Sequence, residues 1–270
     1  MEQKIPELLK TVEQNFKIKI LFAVEVGSRT WELNSTESDY DVRFVFYRSL
    51  EDYISVSKFE EQIDLGFDKD FNQIQREGAY IEMSGFDIFK YFKLLSSCNV
   101  TAIDWINSNI IYLGDNNKNE LKTFIENNVN KPKIFIQYFC TARGCHKGYL
   151  GSKNELNVKK YLHVMQLILN AEYVLKFKKL PYSSMIKNLQ ELEKEIPKEI
   201  VEKINELINM KKSGHGKDIT NEINVLDKYY VETFERFQNL HLDKKIREEK
   251  NMDINYLNKF MQKLIIKKEK

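Results

Sequence analysis

The chain has 270 residues, 42% of them hydrophobic and 30% charged, which is the balance of an ordinary globular protein with a sizeable core. A formal net charge of +2 excludes an overwhelming basic field, so any nucleic-acid surface must be local. Cys98, Cys140 and Cys145 are too few and too irregular for a disulfide framework or a zinc site, and no stretch is long and apolar enough to span a bilayer. With acidic residues and no apolar core near Met1–Lys10, the sequence predicts a cytoplasmic protein with reduced thiols.

Ile5, Leu8, Leu9 and Val12 recur at helical spacing, predicting a short amphipathic helix ahead of the first strand. Ile18 to Val26 is an apolar, β-branched run and reads as that strand; Val42 to Tyr47 reads as a second. Ser49 to Val56 reads as a loop with a partial helix, and Glu60 to Gln75 as an insertion or hairpin with little pattern. Ala79, Ile81 and Met83 alternate against Tyr80, Glu82 and Ser84, so a strand is expected there with Glu82 on its polar face. Ser84 and Asp87 have the spacing of a capping box, opening a helix over about 85–97. A helix over 100–107 and a short strand at 110–113 follow, and Gly114 to Asn117 marks a boundary. Beyond it helices are expected at 118–127, 132–147, 158–178, 182–192, 197–212 and 220–240, then a lysine-rich amphipathic tail.

Between the first two strands lie Gly27-Ser28-Arg29 and Ser38-Asp39-Tyr40-Asp41. A small Gly-Ser turn lets a backbone approach a phosphate with its N–H groups free. Asp39 and Asp41 are two apart, so on an extended strand they point to one face. Two carboxylates there either make a polar turn with local hydrogen bonds or hold a hard divalent cation whose shell nucleotide phosphates complete. The chemistry of the second arrangement is metal-assisted phosphoryl or nucleotidyl transfer.

These residues resemble the signature of the DNA polymerase beta nucleotidyltransferase superfamily. Glu25-Val26-Gly27-Ser28-Arg29 and Ser38 to Phe44 are similar to its RNA-repair-associated branch, and Ile81 to Asp87, Asp104-Trp105 and Lys159-Lys160-Tyr161-Leu162 extend the match over about residues 15–185. The resemblance implies an α+β protein: a palm-like mixed sheet with helices in a catalytic domain over 1–115, then a helical domain over 116–270 covering the nucleotide site. It implies an NTP substrate with Mg²⁺, or Mn²⁺, held by Asp39 and Asp41, and Gly27 and Ser28 on the phosphates. Arg29 is either a phosphate ligand or a solvent residue. Glu82 matches the third acid, a metal ligand and base for the acceptor hydroxyl, where the family has aspartate; Asp87 competes for that role but is explained by capping. Lys159 or Lys160 would reach the β/γ-phosphates, since adjacent helical residues diverge by about 100° and at most one faces the site. Glu32 replaces a glycine usual in the family. RNA, including a tRNA end, is the favoured acceptor, with Lys131–Lys133 and Lys244–Lys270 as candidate phosphate contacts, although relatives with this core modify small molecules and proteins. A non-catalytic nucleotide-binding or protein-interaction module and a nucleotide hydrolase are the competing readings.

Overall fold

The computed structural model describes residues 3–151, 156–218, 221, 223–242 and 252–266. Much of the expected basic tail, 243–251 and 267–270, lies outside the described residues, as does Thr220 at the expected start of a helix. The chain forms two compact units. The first contains the described residues of Met1–Thr30, Asp39–Asn128 and Asn251–Lys270, the second those of Trp31–Ser38 and Val129–Lys250.

The first unit is an α+β structure. Helix α1 (Ile5–Phe16) carries Pro6 in its first turn and ends at Lys17, whose left-handed backbone (φ 52°) feeds strand β1 (Lys19–Glu25). Strands β2 (Tyr40–Tyr47), β3 (Gln62–Phe67), β4 (Gln73–Ile74), β5 (Ile81–Asp87) and β6 (Ile111–Leu113) complete a six-stranded sheet ordered β4-β3-β5-β2-β1-β6. β2 and β5 run parallel, and every other neighbouring pair is antiparallel. The period-two pattern of β2 sends Tyr40, Val42, Phe44 and Phe46 to one face, joined by Ile63, Leu65 and Phe67 of β3 and Ile81 and Met83 of β5. Ile5, Leu9 and Val12 of α1 cover this face. Burying each such side chain contributes roughly 1.5–3 kcal/mol, which is why the face is continuous. Gly85 of β5 lets Phe44 lie flat, since a Cβ there would meet the ring at 2.2 Å.

Behind the sheet, α3 (Ile88–Ser96) and α4 (Val100–Asn107) follow the short α2 (Leu50–Tyr53), and Tyr91 and Trp105 stack at 5.7 Å. Trp105 is core, as its sequence context suggests. The expected capping box is not made: β5 runs on to Asp87, which itself caps α3 by accepting the Phe89 N–H, while the Ser84 hydroxyl bonds Asp64 across the sheet. The expected boundary near 115 also shifts. Gly114 marks a left-handed turn (φ 76°), but α5 (Asp115–Asn128) packs on β1 and α4 through Leu121 and Ile125, so it belongs to the sheet unit. Helix α11 (Ile254–Ile266) joins the same unit, with Phe260 on Phe92 and Tyr256 stacked on Phe124.

The second unit is helical. Helix α6 (Lys131–Cys145) runs into a π-helical turn (His146–Leu150), and α7 (Val158–Phe177) is its buried axis, packed by α6, α8 (Met185–Leu192) and α9 (Lys198–Lys212). Helix α10 (Asn224–Leu242) packs on α6 and α9. The segment Trp31–Ser38 belongs here: Trp31 stacks on His163 of α7, and its carbonyl accepts the Met185 N–H. Among the described residues no helix is long and apolar enough to cross a membrane.

Candidate active site

The polar face of the sheet begins where β1 stops being apolar. After Glu25 the chain turns at Gly27 with φ 71°, a conformation that excludes most side chains, and the Thr30 hydroxyl closes the turn on the Gly27 carbonyl at 2.9 Å. A Cβ on Gly27 would lie 2.6 Å from Asp41 Oδ2, so only glycine lets this backbone rest against that carboxylate. Ser28 lies in the same turn, half-buried.

The parallel register of β2 and β5 sets Asp41 opposite Glu82 and Arg43 opposite Ser84. Across β5 and β3, Ser84 faces Asp64. Asp41, Arg43, Glu82, Ser84 and Asp64 therefore share one sheet face, opposite the apolar one. Asp39 stands just before β2, half-buried. Two of the expected metal ligands, Asp41 and Glu82, are thus brought side by side from segments far apart in the chain, and Asp39 precedes the first of them by two residues.

Arginines set the electrostatics of this face. Arg43 Nη2 pairs with Asp41 Oδ1 at 3.1 Å, and its Nη1 donates to the carbonyls of Val42 and Glu82 at 3.0 and 3.3 Å. Arg76 bridges Glu82 Oε2 at 3.3 Å and Asp64 Oδ1 at 3.1 Å. Asp64 also accepts the Ser84 hydroxyl at 2.6 Å and the Gln62 amide at 2.6 Å. Among the described residues no three acidic, histidine or cysteine side chains are gathered as a metal cluster. The Asp39/Asp41 oxygens nonetheless fit a hard cation chemically, and the Gly27 cradle leaves the space beside Asp41 Oδ2 clear of a side chain. Glu82 stands opposite Asp41 with its Oε2 paired to Arg76.

Arg29 is engaged inside the unit. Its Nε donates to the Asp39 carbonyl at 3.1 Å, and its guanidinium lies 3.5 Å over the Tyr40 ring, with the side chain only 12% exposed. Lys159 and Lys160 open α7 in the helical unit, Lys159 exposed and Lys160 half-buried, with Asn157 capping the Lys160 N–H. Burial pushes the His163 imidazole below its ordinary pKa, and the charge of Lys159 adds to the effect. Tyr161 is buried core, its hydroxyl bonded to Asp227.

Three participants escape the sequence reading. Asp64 lies on β3, in the stretch read as an insertion or hairpin, where β3 and β4 do pair and Ile63, Leu65 and Phe67 alternate with Gln62, Asp64 and Gly66. Arg76 follows the β3–β4 hairpin, and only the fold brings it to Glu82. Glu25, wholly buried, accepts the Asp41 N–H at 2.8 Å and the Tyr112 hydroxyl at 2.6 Å; burial chiefly pushes its carboxyl up to about 7, with the Asp41 charge adding to the rise and the hydrogen bonds and Arg29 opposing it. An acid ending the apolar run Ile20–Val24 is the signal available in the sequence.

Glu32 occupies a left-handed backbone, φ 63°. That conformation suits glycine, which accounts physically for the glycine of the resembled family at this position.

The chain is 27% identical over 262 residues to YcgL of Bacillus subtilis (strain 168), an uncharacterized protein, covering 97% of this chain and 95% of that one. A solved structure, a nucleotidyltransferase-like protein from Exiguobacterium sibiricum 255-15, aligns over 98% of this chain and 89% of its own at 12% identity and a TM-score of 0.31. The model of a family described as RlaP, RNA repair pathway DNA polymerase beta family, matches residues 1–263, and the chain belongs to that family.

Proposed function

We propose that the protein is a nucleotidyltransferase that moves a nucleoside monophosphate from an NTP to an acceptor hydroxyl, RNA favoured, and releases pyrophosphate. The observation that carries this reading is the Asp41–Glu82 pairing across parallel β2 and β5, beside a glycine turn resting on Asp41. Asp39 and Asp41 would hold Mg²⁺, which supplies charge neutralisation on the triphosphate and activation of the acceptor oxygen. Gly27 and Ser28 offer backbone N–H groups to phosphate oxygens, and the glycine permits the approach. Glu82, once released by Arg76, accepts the proton of the acceptor hydroxyl. Arg76 and Arg43 sit beside the carboxylates and offset their mutual repulsion while nucleotide is absent. The leaving pyrophosphate needs a cationic partner as charge develops, the role the family resemblance gives to Lys159 or Lys160. Lys131 and Lys133 at the start of α6 are assigned to acceptor phosphates, so binding of RNA should fall steeply with salt.

Label transfer tests this. With α-labelled NTPs, Mg²⁺ and bulk RNA, label should enter RNA and vanish for the Asp39→Ala/Asp41→Ala double variant; free labelled monophosphate formed without acceptor would mark a hydrolase instead. One observation favours a second reading. The ion pairs of Arg43 with Asp41 and of Arg76 with Glu82 already satisfy both carboxylates, as a nucleotide-binding module without turnover would allow. That reading predicts NTP binding without label transfer, unchanged in Asp41→Asn.

A further inference from the structure

At the mouth of the sheet, the antiparallel pairing of β1 with β2 ends in an exchange. Val26 N–H donates to the Asp41 carbonyl at 2.9 Å, but the reciprocal Asp41 N–H goes to a side chain, Glu25 Oε1, at 2.8 Å. The next peptide back is held as well: the Asp39 carbonyl accepts Arg29 Nε at 3.1 Å. Both peptide groups flanking Tyr40 are thus fixed by side chains, and Arg29 lies over the Tyr40 ring between them at 3.5 Å. Glu25 and Arg29 face each other at 4.0 Å, so the two holders are a charge pair.

Glu25 is itself locked from the β6 side. The Tyr112 hydroxyl donates to its Oε2 at 2.6 Å, the Ser108 hydroxyl to its carbonyl at 2.7 Å, and its own N–H to the Ile110 carbonyl at 3.0 Å. A carboxylate with no exposed surface is costly to bury unless its oxygens are satisfied by donors in good geometry. Here the donors are one tyrosine and the backbone of one acidic residue of the site. Asp39 and Asp41 are useful to a cation only at a fixed separation and orientation, and their side chains inherit both from the backbone between them. Groups that orient a ligating carboxylate without touching the metal set its affinity.

We propose that Glu25 is a positioning residue for the Asp39–Asp41 pair: its carboxylate holds the Asp41 peptide while Arg29, its ion-pair partner, holds the Asp39 peptide. The inference rests on the reading of Asp39 and Asp41 as cation ligands. It requires a hydrogen-bond acceptor at position 25 rather than a negative charge, because the contact that orients the pair is the bond from the Asp41 N–H.

The test is Mn²⁺ binding to the full chain, followed by loss of the free-ion EPR signal at a temperature well below the unfolding midpoint of each variant. Glu25→Met, similar in length and without an acceptor, should weaken Mn²⁺ about 10- to 100-fold, as losses of outer-shell partners do. Glu25→Gln keeps an acceptor for the Asp41 N–H and should restore affinity to within about threefold on the same scale. A folded Glu25→Met protein that binds Mn²⁺ like the wild type, with only its melting temperature lowered, overturns the positioning role and leaves the cation site standing. Wild-type protein that binds no Mn²⁺, or binds it equally in Asp41→Asn, overturns the cation site itself. If Glu25→Met does not fold, Tyr112→Phe decides: it removes one holder of Glu25 and should weaken Mn²⁺ several-fold, whereas unchanged affinity contradicts the proposal.

Discussion

The two faces of the sheet differ by a one-residue step in the same strands. Tyr40, Val42, Phe44 and Phe46 of β2 lie in a core closed by α1, whereas the intervening Asp41 and Arg43 stand on a face where each charge has a partner. The same alternation in β5 divides Ile81 and Met83 from Glu82 and Ser84. One face is apolar along its length; the other carries charge pairs at its Asp41–Glu82 end, where those two side chains are 27% and 24% exposed, and turns apolar farther along at Val45 and Phe86, against which Trp105 of α4 stacks. Partly exposed pairs of this kind contribute about 0–1 kcal/mol each, so the charged end of this face adds little to stability, which the apolar residues of both faces supply.

The sharpest way to break this contrast is a pair of neighbouring substitutions. Phe44→Ala should cost about 3–5 kcal/mol in denaturant unfolding, because it empties a packed position against Gly85. Asp41→Asn, three residues away, should change stability by no more than about 1 kcal/mol yet reduce nucleotidyl transfer by at least ~100-fold. Equal losses of stability would dissolve the distinction between the faces.

Lys118 of α5 is the exception that sharpens it, a charge only 1% exposed within the apolar packing of the sheet unit. Burial chiefly pushes its ammonium down to about 8, with Lys122 adding repulsion and Asp115 and Glu126 opposing it. The folded pKa lies below the ordinary value of 10.5, so holding Lys118 charged destabilises the fold at every pH below about 8. That penalty fades as pH rises from 8 to 10.5 and is absent above it. Lys118→Met should therefore stabilise the protein at neutral pH by on the order of 2–3 kcal/mol, and the gain over wild type should disappear by pH 10.5 in parallel urea titrations.

Smaller effects are expected in the segment between β1 and β2. Gly27→Ala places a Cβ in a left-handed backbone and against Asp41, and should cost about 1–2 kcal/mol while weakening Mn²⁺ binding. Glu32→Gly relieves the left-handed backbone at φ 63° and should raise stability by less than about 1 kcal/mol, the lost strain being offset by glycine's greater chain entropy. Thermal unfolding resolves both.

The local parts of this account were readable in the residues. Asp39 and Asp41 are two apart next to an apolar run, and Glu82 alternates with Ile81 and Met83, so strand, face and acidity follow from the period of two. Helices from α4 onward follow their apolar spacing closely, as with Val100–Asn107. What could not be read is pairing. Nothing in the sequence sets β2 beside β5 in the register that opposes Asp41 to Glu82, and nothing brings Arg76 to Glu82. Ser84 was misread as a helix cap because its partner, Asp64, is twenty residues away on a neighbouring strand. The boundary at Gly114 failed for a similar reason: a local turn signal cannot report that α5 and α11 return to pack on the sheet unit. Glu25 is an intermediate case, its burial legible from the strand it ends and its bond to the Asp41 N–H visible only in the fold.

The central claim is that the acidic face carries out nucleotidyl transfer, and pyrophosphate release tests it most directly. Each NTP would be supplied in turn with Mg²⁺, with and without bulk RNA, to wild-type protein and to Asp41→Asn. The account predicts release that depends on RNA, favours one or more of the NTPs and disappears in Asp41→Asn. Release that persists in Asp41→Asn, or bound NTP that yields no pyrophosphate with any RNA offered, would contradict it.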